Sequence, residues 1–220
     1  MKNVSLLLLS VLTIITITSC AQRTRKQTSE PHLGTEVLSK YSQATFAAGC
    51  FWHEEALFES IKGVKEAVSG YAGGTTNNPS YKSLETGTTG HAETVNVYYD
   101  SSVITYPELL KIYFSGQDPT QVNGQGPDHG TQYRSIVFYR NDKEKQLAQD
   151  DIKSMQASGK YHAPITVHIM PYTKFWQAED YHQNYIDRNT GSGYVQMVSI
   201  PEIKKLQKEY PKLIKPDHLY

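Results

Sequence analysis

Cysteine is nearly absent. The 220-residue chain holds two, Cys20 and Cys50. If an N-terminal leader ending at Cys20 is removed, Cys50 stands alone and no internal disulfide can form. An exported domain of this size often carries paired cysteines, so a retained lone thiol asks for a reason. Charge of one sign is also missing: Lys+Arg and Asp+Glu both number 22, which leaves no basic excess to suggest nucleic acid. No HExxH, HxH or CxxC spacing occurs among the eight histidines and two cysteines, so no zinc motif is present.

Long apolar runs are scarce as well. The one candidate opens the chain, "MKNVSLLLLSVLTIITITSC", with Lys2 as a short positive region and Val4 to Ile17 apolar apart from Ser and Thr. It is short for a bilayer span, which needs about 20 apolar residues, and fits a secretory leader. "ITSC" places small residues before a cysteine, as in a bacterial lipobox. Residues 1–20 are therefore expected to be a lipoprotein-type signal segment and Cys20 the lipidated mature N-terminus. Residues 21–43 are polar and poor in large apolar side chains, the composition of a tether. Residues 44–220 are one domain's worth of chain. The expected location is exported and membrane-anchored, on the periplasmic or cell-surface side.

Within that domain "TFAAG" reads as a short strand and "CFWHEEALFESIKG" as a helix, with Phe51, Ala56 and Ile61 inward. "VKEAVSGYAGG" is a strand entering a glycine-rich turn. "HAETVNVYYD" alternates, which puts Glu93, Val95, Val97 and Tyr99 on one face. "TYPELLKIYFSG" follows as a helix, with Thr105 and Glu108 at capping-box spacing. "YRSIVFYR" is a strand, "NDKEKQLAQDDIKSMQASG" a surface helix, and "APITVHIM" a strand. "FWQAEDYHQNYIDRN" reads as helix or helical turn and coil, and "SIPEIKKLQKEY" as a last amphipathic helix. This order contains a split β-α-β pattern and predicts an α+β fold, a two-layer α/β sandwich with a ferredoxin-like core. Two polar loops, before Glu93 and before Tyr133, are too long for idle connectors.

Cys50 falls where a strand hands over to a helix. Amides at a helix N-terminus favour the thiolate, so its pKa is expected below the ordinary value of about 8.5. Phe51 and Trp52 follow directly; alone they read as core aromatics, beside a reactive thiol as a pocket for an apolar group. Glu93, on an apolar strand face, is expected to lose solvation and stay protonated, a competent proton donor. The pairs Cys50–His182 and Cys50–His129 are both open by spacing. These residues alone thus leave three readings: a thiol redox enzyme, a Cys–His acyl transferase or hydrolase, and a binding module with an aromatic cage.

Six separated blocks narrow the choice: "GCFWHEE" (49–55), "GYAGG" (70–74), "NPSY" (78–81), "TGTTGHAE" (86–93), "DHGTQYRS" (128–135) and "EDYHQNY" (179–185). Together, and in this order, they resemble the A-type peptide methionine sulfoxide reductases over about residues 44–210. The resemblance implies reduction of the S epimer of methionine sulfoxide, with Cys50 as nucleophile and a sulfenic acid as its product. It implies that Phe51 and Trp52 hold the substrate methyl, and that Glu93, Tyr81 and Tyr133 serve the sulfoxide oxygen. Asp128 and His182 join the substrate-binding set, while Asp180 and Tyr185 lie in the last block. No cofactor or metal is implied, only an external thiol, thioredoxin-like or small, and a monomer is expected. Three departures are visible. The C-terminal stretch lacks the resolving cysteines many members carry, Glu85 stands where some have a cysteine, and His53 replaces a common glycine.

Overall fold

The computed structural model describes residues 33–220; the leader, Cys20 and the first part of the expected tether lie outside the described residues. After a helical turn, α1 (Thr35–Leu38), strand β1 (Ser42–Ala47) leads into helix α2 (Phe51–Glu59) and strand β2 (Val64–Ala72). A short helix α3 (Tyr81–Leu84), strand β3 (Ala92–Tyr99) and helix α4 (Tyr106–Ser115) follow. A small hairpin, β4 (Gly124–Gln125) and β5 (Asp128–His129), precedes strand β6 (Ile136–Tyr139), helix α5 (Asp142–Ala157) and strand β7 (His168–Pro171). Strand β8 (Phe175–Gln177), helix α6 (Tyr185–Arg188), a π-helical stretch (Val195–Ser199) and helix α7 (Ile200–Glu209) complete the chain.

Six strands form one sheet in the order β7-β6-β1-β3-β2-β8. β3 lies antiparallel between β1 and β2, so the β1-α2-β2 unit is split by a third strand, as the sequence pattern predicts. β6 pairs antiparallel with the outer side of β1, and β7 adds parallel to β6. Alternation decides the faces. Phe46, Val95 and Val97 point toward α2 and α4, where Phe46 stacks on Phe58 at 5.3 Å and on Tyr113 at 4.9 Å between ring centroids. Ala47, Ala72, Ala92, Ile136 and Phe138 form a second apolar cluster on the other face, with Met170, Tyr172 and Phe175 packed against it. Beside that cluster a polar patch is closed by Arg140, which donates to Thr45 (2.8 Å) and Asn96 (3.0 Å) and stacks over Tyr172.

Two local expectations are adjusted. Phe175–Gln177 is an edge strand paired with β2, not helix; Gly70 permits this, since a Cβ there would lie 2.3 Å from the Phe175 ring. Only Tyr185–Arg188 of that segment is helical. On α2, His53, Glu54 and Glu55 are buried along with the apolar positions, because the helix is packed between the sheet, α6 and α7. Elsewhere local signals operate as read. Glu108 accepts from the Thr105 amide at 2.8 Å, and Asn141 caps α5 by accepting from the Glu144 amide at 2.9 Å. Among the described residues no helix is long and apolar enough to cross a membrane.

Candidate active site

β1 turns into α2 through Gly49, whose φ of +72° is left-handed and whose absent Cβ would sit 2.6 Å from that of Gln125. A glycine is therefore required immediately before the thiol. Cys50 itself is extended (φ −70°, ψ 120°) at the N-cap of α2, a half-buried residue in no disulfide. The expectation of a lowered thiol pKa is overturned: burial pushes the Cys50 thiol well above its ordinary value, and nearby Glu93 and Asp128 push it further. The Trp52 amide and Tyr194 hydroxyl oppose this without prevailing. The first helical amide, that of Phe51, donates to the Glu93 carboxyl at 3.0 Å, which removes one of the donors that could have favoured a thiolate.

Glu93 lies one residue inside β3, paired opposite Tyr71 of β2, and is 2% exposed. Burial lifts its pKa from the carboxylate range to about 8, against the opposing Phe51 amide; Asp128 and Glu85 add repulsion. The resting site thus presents a neutral thiol and a neutral carboxyl at pH 7.

Both residues line one cavity of about 180 Å³, together with Phe51, Trp52, Tyr81, Asp128, Tyr133 and Tyr194. The two long loops bring the phenols there. Tyr81 opens α3, its amide donating to Glu179 at 3.0 Å while Tyr71 donates to the other oxygen of the same carboxylate at 2.7 Å. Tyr133 ends a short 3-10 turn and its carbonyl accepts from the Gly49 amide at 3.2 Å, which ties the second loop to the nucleophile turn. Burial and the facing Glu93 raise both phenols, so both remain hydroxyl donors. Arg134 holds the two loops together, donating to Thr131 (2.7 Å) and to Gly90 (2.8 Å).

Phe51 and Trp52 form the apolar wall. Trp52 stacks flat on Tyr185 at 3.6 Å, and its indole N–H donates to Nδ1 of His182 at 3.0 Å. His182 is itself buried and is not among the residues lining the cavity; it supports three that are, bonded to Trp52 with its ring 4.8 Å from that of Phe51 and 4.4 Å from that of Tyr81. Burial lowers its pKa to about 4, which keeps the ring neutral and Nδ1 free to accept. Tyr185, from the same block, is the stacking plate; Asp180 contributes its carbonyl to Arg188. His129 is exposed on the β5 edge and is absent from the cavity wall.

Sequence reasoning missed two groups. Tyr194 precedes the π-helical stretch, donates to Asp128, and is a hydrogen-bond partner of the Cys50 thiol. Nothing in "GSGYV" distinguishes this tyrosine from the fifteen others in the chain's sixteen. Glu179, inside the last block but without an assigned role, is the carboxylate that fixes Tyr71 and Tyr81.

A lone thiol facing a protonated carboxyl and two phenols, beside an aromatic slot, is the outline of a thiol-based oxidoreductase for an oxygen-bearing group next to an apolar substituent. Known proteins agree. Residues 42–214 match the family described as "Peptide methionine sulfoxide reductase". The chain is 46% identical over 173 residues to the peptide methionine sulfoxide reductase MsrA of Pasteurella multocida, covering 79% of this chain and 98% of that one. It is 42% identical over 192 residues to the MsrA of Deinococcus radiodurans, covering 87% and 90%. Among solved structures it resembles methionine sulfoxide reductase A of Corynebacterium diphtheriae (34% identity, TM-score 0.61, 67% of this chain and 74% of that). It also resembles reduced Mxr1 of Saccharomyces cerevisiae (36% identity, TM-score 0.62, 69% and 87%). The chain belongs to the A-type peptide methionine sulfoxide reductase family.

Proposed function

We propose that this protein reduces the S epimer of methionine sulfoxide, free or within proteins, to methionine, with Cys50 as the nucleophile. One observation carries the reading: Cys50 and Glu93 share a cavity whose wall also holds two phenols, Tyr81 and Tyr133, and an apolar aromatic pair, Phe51 and Trp52, besides Asp128 and Tyr194. A sulfoxide has an oxygen and a methyl in fixed chiral relation to its sulfur. Two separate subsites therefore accept one epimer when the rest of the substrate points outward.

The neutral resting state makes the chemistry balance without outside protons. Glu93 gives its proton to the sulfoxide oxygen as the Cys50 sulfur bonds to the substrate sulfur, and the thiol proton restores the carboxyl. The oxygen passes to Cys50 as the bond between the two sulfurs breaks. Thiol plus sulfoxide becomes sulfenic acid plus sulfide. Donors already aimed at the oxygen stabilise the charge that develops there. Sulfenic acid is a reversible oxidation state, and an external thiol, thioredoxin-like or small, returns it to the thiol. Asp128 serves through Tyr194, which it orients.

The protein's place is inferred from sequence: export, lipid attachment at Cys20, and the polar stretch between Cys20 and α1 as a tether from the membrane to a monomeric repair domain that takes in β1 from Ser42 onward. The test of the activity is turnover of a methionine sulfoxide peptide as separate S and R epimers, with thiol, for wild type and Cys50→Ser. Turnover of S alone, abolished in Cys50→Ser, is expected. Equal turnover of both epimers, or an active Cys50→Ser, contradicts the proposal.

A further inference from the structure

Cys50 forms part of the wall of two cavities. Besides the aromatic one, a second cavity of about 240 Å³ also has Cys50 in its wall. Cys50, Asp128 and Tyr194 belong to both walls and partition them. The second cavity is polar where the first is aromatic: Ala48, His53, Gln117, Gln125 and Val198 line it in place of Phe51, Trp52, Tyr81 and Glu93. Its wall also carries unspent hydrogen-bonding capacity. Nε2 of Gln117 and Oε1 of Gln121 are buried without a protein partner. The buried His53 ring approaches the Ser199 carbonyl and, at 4.0 Å, the Glu202 carboxylate without completing a hydrogen bond to either. Gln125, by contrast, is fixed by Asp118, Gln117 and Ser135, so this wall is held in place.

The proposed reaction leaves the sulfenic oxygen on the side of Cys50 where Glu93, Tyr81 and Tyr133 hold it. Displacement at divalent sulfur proceeds in line, the attacking sulfur arriving opposite the leaving group. The reducing thiol must therefore approach the Cys50 sulfur from the face opposite that oxygen, and the second cavity is a further space that Cys50 borders. We propose that the second cavity is the entrance for the reducing thiol, and that it favours a thiol bearing an ammonium group. This deepens the reading above and rests on it. The charge preference follows from the wall, where Asp118, Asp128 and Glu202 face the single cation Lys205. In the first step the incoming thiol sulfur bonds to the Cys50 sulfur and the S–O bond breaks; the departing hydroxyl takes the Glu93 proton to leave as water, and the incoming thiol's proton restores the Glu93 carboxyl. In the second step another thiol attacks the incoming sulfur of the mixed disulfide, which releases a disulfide, and its proton passes to the Cys50 sulfur to regenerate the thiol. Separate cavities let the sulfide product leave by one side while the reductant enters by the other.

The two half-reactions can be read apart. Reduced full-length protein is mixed with the S-sulfoxide peptide without thiol and the methionine formed per Cys50 is counted. The sulfenic acid is then regenerated with cysteamine or with 3-mercaptopropionate, rates being compared at equal thiolate concentration. Val198→Trp, which narrows the second cavity, is expected to leave the methionine yield unchanged and to slow regeneration by about tenfold or more with both thiols. In wild type, cysteamine is expected to outpace 3-mercaptopropionate, and Lys205→Glu, at an exposed position, is expected to widen that ratio by several-fold, about what reversing one charge, a change of two units, contributes near a surface. Normal methionine yield with undiminished regeneration in Val198→Trp overturns the entrance. A cysteamine preference that is absent in wild type and unchanged in Lys205→Glu overturns the charge selection, and decides the matter if Val198→Trp does not fold. No methionine from wild type in the first stage refutes the activity itself, which is a different failure.

Discussion

The backbone N–H of Phe51 donates to Oε2 of Glu93 across 3.0 Å, from the first turn of α2 to the second residue of β3. This single bond sets the orientation of the carboxyl and ties it to the residue next to the nucleophile. Burial nevertheless keeps the acid protonated to about pH 8. Glu93→Gln keeps an oxygen for the Phe51 amide but has no proton to give. Its kcat is expected to fall by about 10²–10³, the usual worth of a positioned general acid, with an unchanged fold by circular dichroism.

The same ionisation predicts a pH profile. Wild-type activity should hold through neutrality and decline as pH rises through about 8, where Glu93 loses its proton. The residual activity of Glu93→Gln should lack that limb. A pH–rate series on both proteins checks this, and an identical alkaline limb in the variant would assign the ionisation elsewhere.

Stability should share the direction. Glu93 and Glu59 are held to about 8 and about 7 by burial, and Glu54 and Glu55 are also raised by burial. Between pH 6.5 and 8 the unfolded glutamates are ionised while the folded ones still bind protons. The native state therefore binds more protons, and stability falls as pH rises through that window. The buried histidines His53 and His182, lowered to about 4, act only below pH 6.5, where their unfolded forms protonate, and there they work against the folded state. Urea midpoints at pH 6.5 and pH 8 should differ accordingly, the higher at pH 6.5.

Much of this was legible in the chain, for reasons that can be named. Period-2 alternation in β3 placed Glu93 inward with Val95 and Val97, and the strand-to-helix junction located Cys50. Both are local signals. What escaped depends on partners far along the chain. The thiol's raised pKa comes first from burial and then from the acidic groups at 93 and 128, none of which adjacency to a helix start reveals. Burial of His53, Glu54 and Glu55 follows from α6 and α7 packing over α2, which contact only in the fold. β8 is too short to show alternation, and Tyr194 meets its partner Asp128, 66 residues away, only in the fold.

The indole of Trp52 depends on His182 Nδ1 for its hydrogen bond and on Tyr185 for its stacking plane. His182→Phe retains an aromatic filler but loses the acceptor. The expected effect is on substrate binding rather than on the chemical step: KM for the sulfoxide rises about three- to tenfold, the worth of one net hydrogen bond, while kcat moves less. A blue or red shift of Trp52 fluorescence in the variant, absent in Tyr194→Phe, would locate the change at the indole.

Gly49 carries the most local of these dependences. With φ at +72°, and Gln125 Cβ 2.6 Å from where a methyl would project, Gly49→Ala must strain the backbone and displace the β4 hairpin together. The Gln125 side chain cannot easily give way, because its amide is fixed by Asp118, Gln117 and Ser135. Strain of this kind costs about 1–3 kcal/mol before any displacement is counted. The variant should therefore unfold at a lower urea concentration. It should also lose activity in excess of its unfolded fraction, because the Gly49 amide bonded to the Tyr133 carbonyl is what sets the phenol against the thiol. Full activity in the folded fraction of Gly49→Ala would show that the turn tolerates the shift and that Tyr133 is held by other contacts.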